Sequence, residues 1–521
     1  MAAKASATTR SKPTPTPAWP WSAASWAPAN TCASSAASCP PATANAPCRP
    51  APASSKSWRR PYETLPARPA LLCLPWLALA QAEESAQQIV ADESTPAQEK
   101  VTDLGRFEFA QKATLQGGYG PEDGTLGNDR KGFYGLRYEP TLAWYSEEGA
   151  WSRWQGFGRA WLNYNSGQAS TPLQENEAQQ LEYFSAELRE FYLRRNLLGD
   201  DPRFALSVGR QRFGDYFGLW WDDSIEALRL DYDDSFARGF VAIAEQFHSY
   251  NSDISSLDAD QQDIAYLMGE YALRWQAQQW AGLRLMIERD HSGRDETDDP
   301  LDFRGQRLGL FASGEQLGWR LLDDYRLELA MLDGDNRYND GRDQDVRGWA
   351  LLSELGKRFD DSPWRPRLYL HGGLTDEPDE DGDGFRLNAI QSDRVADPET
   401  YSTGLVSAFV GVDLRNLAFY GIGLDSQPRP RQQLDLRLTD LRLRDQDGEL
   451  PLRASADGER SGSHLGQTLD LNYFWEMFPL AYESRQVQVN ALLSLSYFRA
   501  GSAVRGLDND YQASFGLVLR Y

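Results

Sequence analysis

This 521-residue chain is short of several things. Its four cysteines, Cys32, Cys39, Cys48 and Cys73, all precede residue 83, so the rest of the chain can form no disulfide. Small secreted folds usually lean on disulfides; a closed hydrogen-bonded ladder needs none. Mean hydropathy is -0.59, and no run approaches the roughly 20 apolar residues of a spanning helix. A helical membrane protein is thereby excluded. A β-barrel is not, because only alternate residues of its strands meet lipid and each strand averages out as polar. Histidine is limited to His248, His291, His371 and His464, scattered without the spacing of a metal site, and no metal is expected. No serine lies in a nucleophile elbow and no glycine-rich phosphate loop occurs. Neither an enzyme nor a cofactor is expected.

Charge is informative once divided. Residues 1–82 carry eight basic residues and one acid, Glu63; removing this +7 from the total of -23 leaves -30 for residues 83–521. A body this acidic lacks the basic face needed to neutralise nucleic-acid phosphates. What is abundant is aromatic: 17 Trp, 23 Tyr and 22 Phe, as aromatic girdles at two membrane interfaces require.

Residues 1–58 are Ala, Pro, Ser and Thr without periodicity and cannot bury a core. Within 59–82, Arg59, Arg60 and Arg68 form a basic region, Pro69 to Leu79 an apolar one, and Ala80-Gln81-Ala82 a small-x-small cleavage site. That is the layout of a secretory signal peptide. Because such a peptide should open a chain, Met1 is read as a wrongly assigned start, with translation beginning nearer Leu65. A polar segment, 83–103, follows.

From 104 onward the chain alternates with period 2. Phe107, Phe109, Ala113 and Leu115 oppose Arg106, Glu108, Lys112 and Thr114; Tyr134, Leu136, Tyr138, Leu142 and Trp144 oppose Gly135, Arg137, Glu139 and Thr141. Leu267 to Trp275 and Gly282 to Glu288 alternate about the turn Gln276 to Gln279. Leu465, Leu469, Leu471 and Tyr473 are expected on one face, opposite Gly466, Thr468, Asp470 and Asn472. Charged residues recur mid-strand on the polar face, as suits a watery lumen. Long acidic loops (Asp253 to Gln262, His291 to Asp302, Asp333 to Asp345, Asp376 to Asp383) alternate with short turns such as Asp360 to Pro363, the outer-membrane arrangement. In the last strand Tyr511, Ala513, Phe515, Leu517, Leu519 and Tyr521 should face lipid, and Gln512, Ser514, Gly516 and Arg520 the lumen, with Val518 the exception. The fold class is all-β, a transmembrane antiparallel barrel over residues 104–521 in a bacterial outer membrane, with lipid as its surround.

Residues 83–521 hold 41 Arg but only Lys100, Lys112, Lys131 and Lys357. Guanidinium forks match carboxylates and stay charged; around a lumen they would attract polyanions, unless cross-strand acids pair with them. Asp379, Asp381 and Asp383 before Gly384 imitate the start of a calcium loop, but its twelfth position is Ile390 where a bidentate Glu is required, so a solvated loop is expected.

Leu188-Arg189-Glu190-Phe191-Tyr192, Gly209-Arg210-Gln211-Arg212, Trp220-Trp221-Asp222, Ile225 to Leu228, Ala244 to Phe247 and Tyr250 come in an order and spacing that resembles the alginate-export outer-membrane porins of pseudomonads and their relatives. The resemblance implies a monomeric barrel of 18 strands whose basic constriction passes a polyuronate. It implies pore roles for Lys112, Arg189, Arg212 and Arg394, and a lumenal acid at Asp222. Glu139 replaces one family arginine, for which Arg137, pointing the same way, would compensate; others fall on Leu492, Ser494 and near Tyr401. Two features resist the alternation: Arg189 beside Glu190, and Arg212, whose parity with Phe204, Leu206 and Val208 would turn it to lipid unless a bulge intervenes near Gly209. The function so implied is passive export of an anionic exopolysaccharide, handed over by periplasmic export-complex proteins; the alternative is an uptake porin for small acidic solutes.

Overall fold

The structure, a computed structural model, describes residues 98–521 apart from 103–104, 121–131, 147–151, 166–183, 200, 253–256, 258–262, 293–300, 379–382, 391–404, 408–409, 453–461, 479–486 and 505–508. The low-complexity stretch, the signal-peptide segment and Arg394 lie outside the described residues. The strands are β1 (Gln98–Thr102), β2 (Gly105–Tyr119), β3 (Phe133–Tyr145), β4 (Trp154–Asn165), β5 (Phe184–Leu198), β6 (Asp201–Gly214) and β7 (Asp222–Asp233). There follow β8 (Ala237–Glu245), β9 (Ile264–Gln276), β10 (Gln279–Asp290), β11 (Leu301–Gly314), β12 (Asp324–Tyr338) and β13 (Asp343–Arg358). The last are β14 (Arg367–Thr375), β15 (Leu417–Ser426), β16 (Gln432–Leu443), β17 (His464–Phe478), β18 (Gln488–Ala500) and β19 (Asp510–Arg520).

Strands β2 to β19 each pair antiparallel with the next, and β19 returns to β2 from Ala513↔Tyr119 to Arg520↔Lys112, closing the expected barrel of 18 strands. Closure removes the two long open edges that an 18-stranded sheet would otherwise expose. Because β19 ends opposite Gln111, whose N–H and C=O bond Tyr521 at 3.1 and 2.9 Å, the first residues of β2 lack a neighbour there. Strand β1 supplies one, pairing from Gln98↔Phe109 to Thr102↔Gly105. Part of the expected polar segment is thus a strand, and the barrel proper begins at Gly105.

The wall is inside-out relative to a soluble fold. Phe191, Val241, Ile243, Leu308, Leu370 and Tyr420 are exposed, whereas Arg137, Glu139, Arg189, Glu190 and Arg307 are buried. The last strand behaves as its pattern requires, with Tyr511, Phe515, Leu519 and Tyr521 exposed, Arg520 buried, and Val518 tucked inward. Connections at one end are tight, such as 234–236 and 277–278; those at the other include 166–183, 246–263, 376–416 and 444–463.

The longest connection, 376–416, does not stay at the mouth, where its acidic start suggested it would. It turns into the lumen, and Phe385, Ile390, Val406, Val410, Val412 and Leu414 join a buried apolar cluster with Trp220 and Trp221 of connection 215–221 and inward residues of β7 to β18. The approach is close: a side chain on inward Gly348 of β13 would strike the backbone of Phe385. Leu465, expected on the lipid face, is also buried in this cluster. The pairing of β16 with β17 slips at this point, Leu441↔Gly466 being followed by Arg442↔His464, so Leu465 is the extra residue of a bulge. The rest of β17 keeps the expected parity, with Leu469 exposed and Thr468, Asp470 and Asn472 buried.

Candidate functional site

The inserted loop is seated by β7 to β18, so the wall β2 to β5 keeps its polar side chains turned to the lumen. There Lys112 stands opposite Glu139 in register, and its Nζ lies 2.7 Å from Glu139 Oε1. Arg159 of β4 reaches the same oxygen at 3.6 Å and also pairs with Glu190 of β5. Lysine, glutamate, arginine and glutamate therefore alternate across four strands.

Above this ladder, Arg137 donates from Nε to Asn163 Oδ1 at 3.0 Å, and its guanidinium lies 3.5 Å from the centre of the Trp161 ring. Arg189 places its guanidinium 4.3 Å from the same ring, while its two terminal nitrogens lie 2.6 Å from Glu187 and 2.5 Å from Asp223. Buried, desolvated cation–π contacts of this kind hold a guanidinium by up to about 2 kcal/mol. Trp161 was not foreseen as a site residue; its alternation in β4 marked it as inward, but nothing local marked two arginines stacked on it.

The ambiguity at Arg189-Glu190 is resolved by a bulge. Between β4 and β5 the register runs Arg159↔Glu190 and then Ala160↔Leu188, leaving Arg189 as the extra residue. An inserted residue lets consecutive side chains share one face. Ser185 and Arg189 are buried before the bulge and Glu190, Tyr192, Arg194 and Asn196 after it, so the inward parity changes at that point. At Arg212 the expected bulge is absent, and the residue keeps the parity of Val208 and Leu228. Gly209 takes φ of +124°, a region open to glycine, and Arg210 and Gln211 are then both buried. The register against β7 does not shift there. Arg212 lies 2.6 Å from Asp222 Oδ1, and the Asp222 N–H bonds the Ile390 carbonyl at 3.0 Å, tying this pair to the inserted loop. Leu492 and Ser494, where the resemblance implies arginine, are buried and inward.

Lys112, Arg137 and Arg189 thus stand inside, Arg212 and Asp222 form a largely buried pair, and none of the four cations presents a bare charge: each has a carboxylate or amide partner within 3.0 Å. Other lumenal arginines are engaged likewise. Arg284 meets Glu270 and Glu328, and Arg367 joins Asp324, Glu354 and Asp425. In the loop, Arg386 donates to Asn336 at 2.8 Å and packs over Phe303, and burial lowers its pKa to about 10. The described part of the acidic run is structural: Asp376 accepts from the N–H groups of Trp349 and Phe385, with burial pushing its carboxyl up, and Asp383 accepts from Arg347 N–H. Asp379 and Asp381 lie outside the described residues.

The model of the alginate export family matches residues 148–516. This chain belongs to that family. Among curated relatives, the alginate production protein AlgE of Pseudomonas syringae pv. tomato is 26% identical over 303 residues, which is 50% of this chain and 59% of that protein. AlgE of Azotobacter vinelandii is 26% identical over 214 residues, 36% of this chain and 43% of that protein. The chain therefore spans well under two thirds of the length of the curated relatives it matches. Among solved structures, vanillate-bound OpdK of Pseudomonas aeruginosa superposes with a TM-score of 0.50 at 10% identity, covering 79% of this chain and 98% of that one. OccK8 (OprE) of the same organism gives 0.50 at 10% identity, covering 80% and 97%. These likenesses concern the fold. Family, closed barrel and exposed apolar wall agree on an outer-membrane protein.

Proposed function

We propose that this member of the alginate export family is a passive outer-membrane channel for an anionic exopolysaccharide of the polyuronate class, with no catalytic step. The observation that carries the reading is the ladder Lys112–Glu139–Arg159–Glu190 with the Arg137–Trp161–Arg189 stack beside it. Arg159 and Arg189 are held by carboxylates, as a uronate would hold them, so a passing chain exchanges one carboxylate partner for another at low cost. Free energy for movement comes from whatever pushes the polymer; the channel only lowers the barrier, and hand-over by periplasmic export proteins belongs to the same proposal. A second reading, uptake of small acidic solutes, is favoured by one feature, the apolar loop insertion that narrows the lumen.

Planar-bilayer conductance separates the two. Anion-selective current that polyuronate oligomers block is expected for export. Glu139→Gln, by freeing Lys112 and Arg159 from a shared carboxylate, should raise the anion preference and tighten the block. Cation-selective current indifferent to the oligomers would refute export, and small acids that permeate without any polymer block would favour uptake.

A further inference from the structure

Outside the lumen, three side chains with metal-ligating atoms meet at the loop end of the wall. Glu245 closes β8, Asp263 precedes β9 and His291 follows β10, and their ligand atoms all lie within 4.8 Å of one another. The strand register brings them level, since Glu245 stands opposite Ala265 and Ile264 opposite Asp290. Asp263 holds φ of +55°, unusual for a residue with a side chain, and its carbonyl accepts the His291 N–H at 3.0 Å. That backbone turn delivers a second carboxylate to an imidazole whose Nε2 already lies 3.3 Å from Glu245 Oε1. With metal–ligand lengths of about 2.0–2.1 Å, ligand atoms around a tetrahedral zinc stand about 3.3 Å apart. Two of the three are at that spacing, and the third lies within 4.8 Å of both at an exposed position.

The group faces outward. Ile243, Leu267 and Ile287, which share its parity on the same three strands, are exposed members of the lipid-facing surface. Arg289, one pleat below His291, makes no ion pair among the described residues, so an imidazole and two carboxylates meet without a paired cation.

We propose that Glu245, Asp263 and His291 bind a divalent transition metal ion of the zinc class on the outer wall, at the upper edge of the apolar belt. One imidazole with two carboxylates suits such an ion better than calcium or magnesium, which prefer oxygen ligands throughout. Three protein ligands leave one position open, directed at the headgroup layer and available to water or a lipid oxygen. The ion fastens the ends of three neighbouring strands at the root of connections 246–263 and 291–300.

Isothermal titration of the untagged, refolded barrel in detergent tests this, with zinc, calcium and magnesium chloride as probes. One equivalent of zinc should bind, and equimolar calcium or magnesium should leave it in place. His291→Ala and Asp263→Asn should each abolish saturable binding while retaining the heat-modifiable gel migration of a folded barrel; His248→Ala should bind as the parent does. Equal stoichiometry in parent and His291→Ala, loss of binding in His248→Ala alone, or no saturable zinc binding by the folded parent would overturn the site.

Discussion

Two parts of one lumen are built on opposite rules. The wall β2 to β5 presents ion pairs, and the interior of β7 to β18 near the loop end presents an apolar seat filled by connection 376–416. The difference separates two tasks. Lumenal ion pairs contribute little net stability, because desolvation offsets attraction, but they keep guanidiniums oriented and exchangeable. Apolar burial is worth about 1.5–3 kcal/mol for each large side chain, and non-polar contact offers no handle to an anionic polymer. The seat therefore holds the loop, and on the proposed reading the ladder meets the cargo.

The strongest way to break this comparison is to evict the loop. Gly348→Leu puts a branched side chain where the Phe385 backbone lies, on a stretch of β13 held by its pairing with β12. Single-channel conductance should rise several-fold while ion preference stays the same, since the ladder is untouched. Unchanged conductance would show that the apolar seat does not limit the path.

A second intervention sharpens the charged side. Arg189→Glu sets three carboxylates together, the new one with Glu187 and Asp223. Removing one partner of a buried pair costs about 3–5 kcal/mol, read as a lower unfolding midpoint. The larger signature is electrical: anion preference and polyuronate block should both disappear, with conductance little changed. Retained block would move the cargo path away from β5.

These targets differ in how far residue types alone reveal them. The barrel, its closing strand and its tight turns follow from alternation, because lipid on one face and water on the other force period 2 along each strand. Lys112 and Arg137 obey that parity and turn inward. Arg189 could not be placed by it, because the bulge opposite Arg159/Ala160 is a property of pairing between strands and no residue type in the stretch announces it. Leu465 turns inward for the same reason: the slip from Leu441↔Gly466 to Arg442↔His464 makes it the extra residue of a bulge, and alternation read along β17 alone does not show it. The acids at the head of the loop suggested a solvated mouth, yet Asp376 spends its carboxylate on the N–H groups of Trp349 and Phe385 and anchors the turn inward. Ion-pair partners such as Glu190 for Arg159, 31 residues apart, are likewise set by register rather than by local sequence.

The smallest expected effect tests whether the charged wall is ordered as well as charged. Trp161→Leu removes the ring on which Arg137 and Arg189 both lie and leaves every formal charge in place. If the ring only fills space, ion preference and polymer block should both survive. If it pre-organises the two guanidiniums, the loss is about 1.4 kcal/mol, within the range for desolvated cation–π contacts, and the dissociation constant for polyuronate block rises about tenfold. Ion preference should stay anionic, because small ions respond to net charge and not to fork geometry. Concentration series of oligomer block on the parent, Trp161→Leu and Trp161→Phe channels decide the matter, with Phe expected to restore most of the affinity. Equal weakening by Leu and Phe would show that the indole, not any aromatic ring, orders the two guanidiniums, and unchanged block in both would assign Trp161 to packing alone and leave recognition to the ladder.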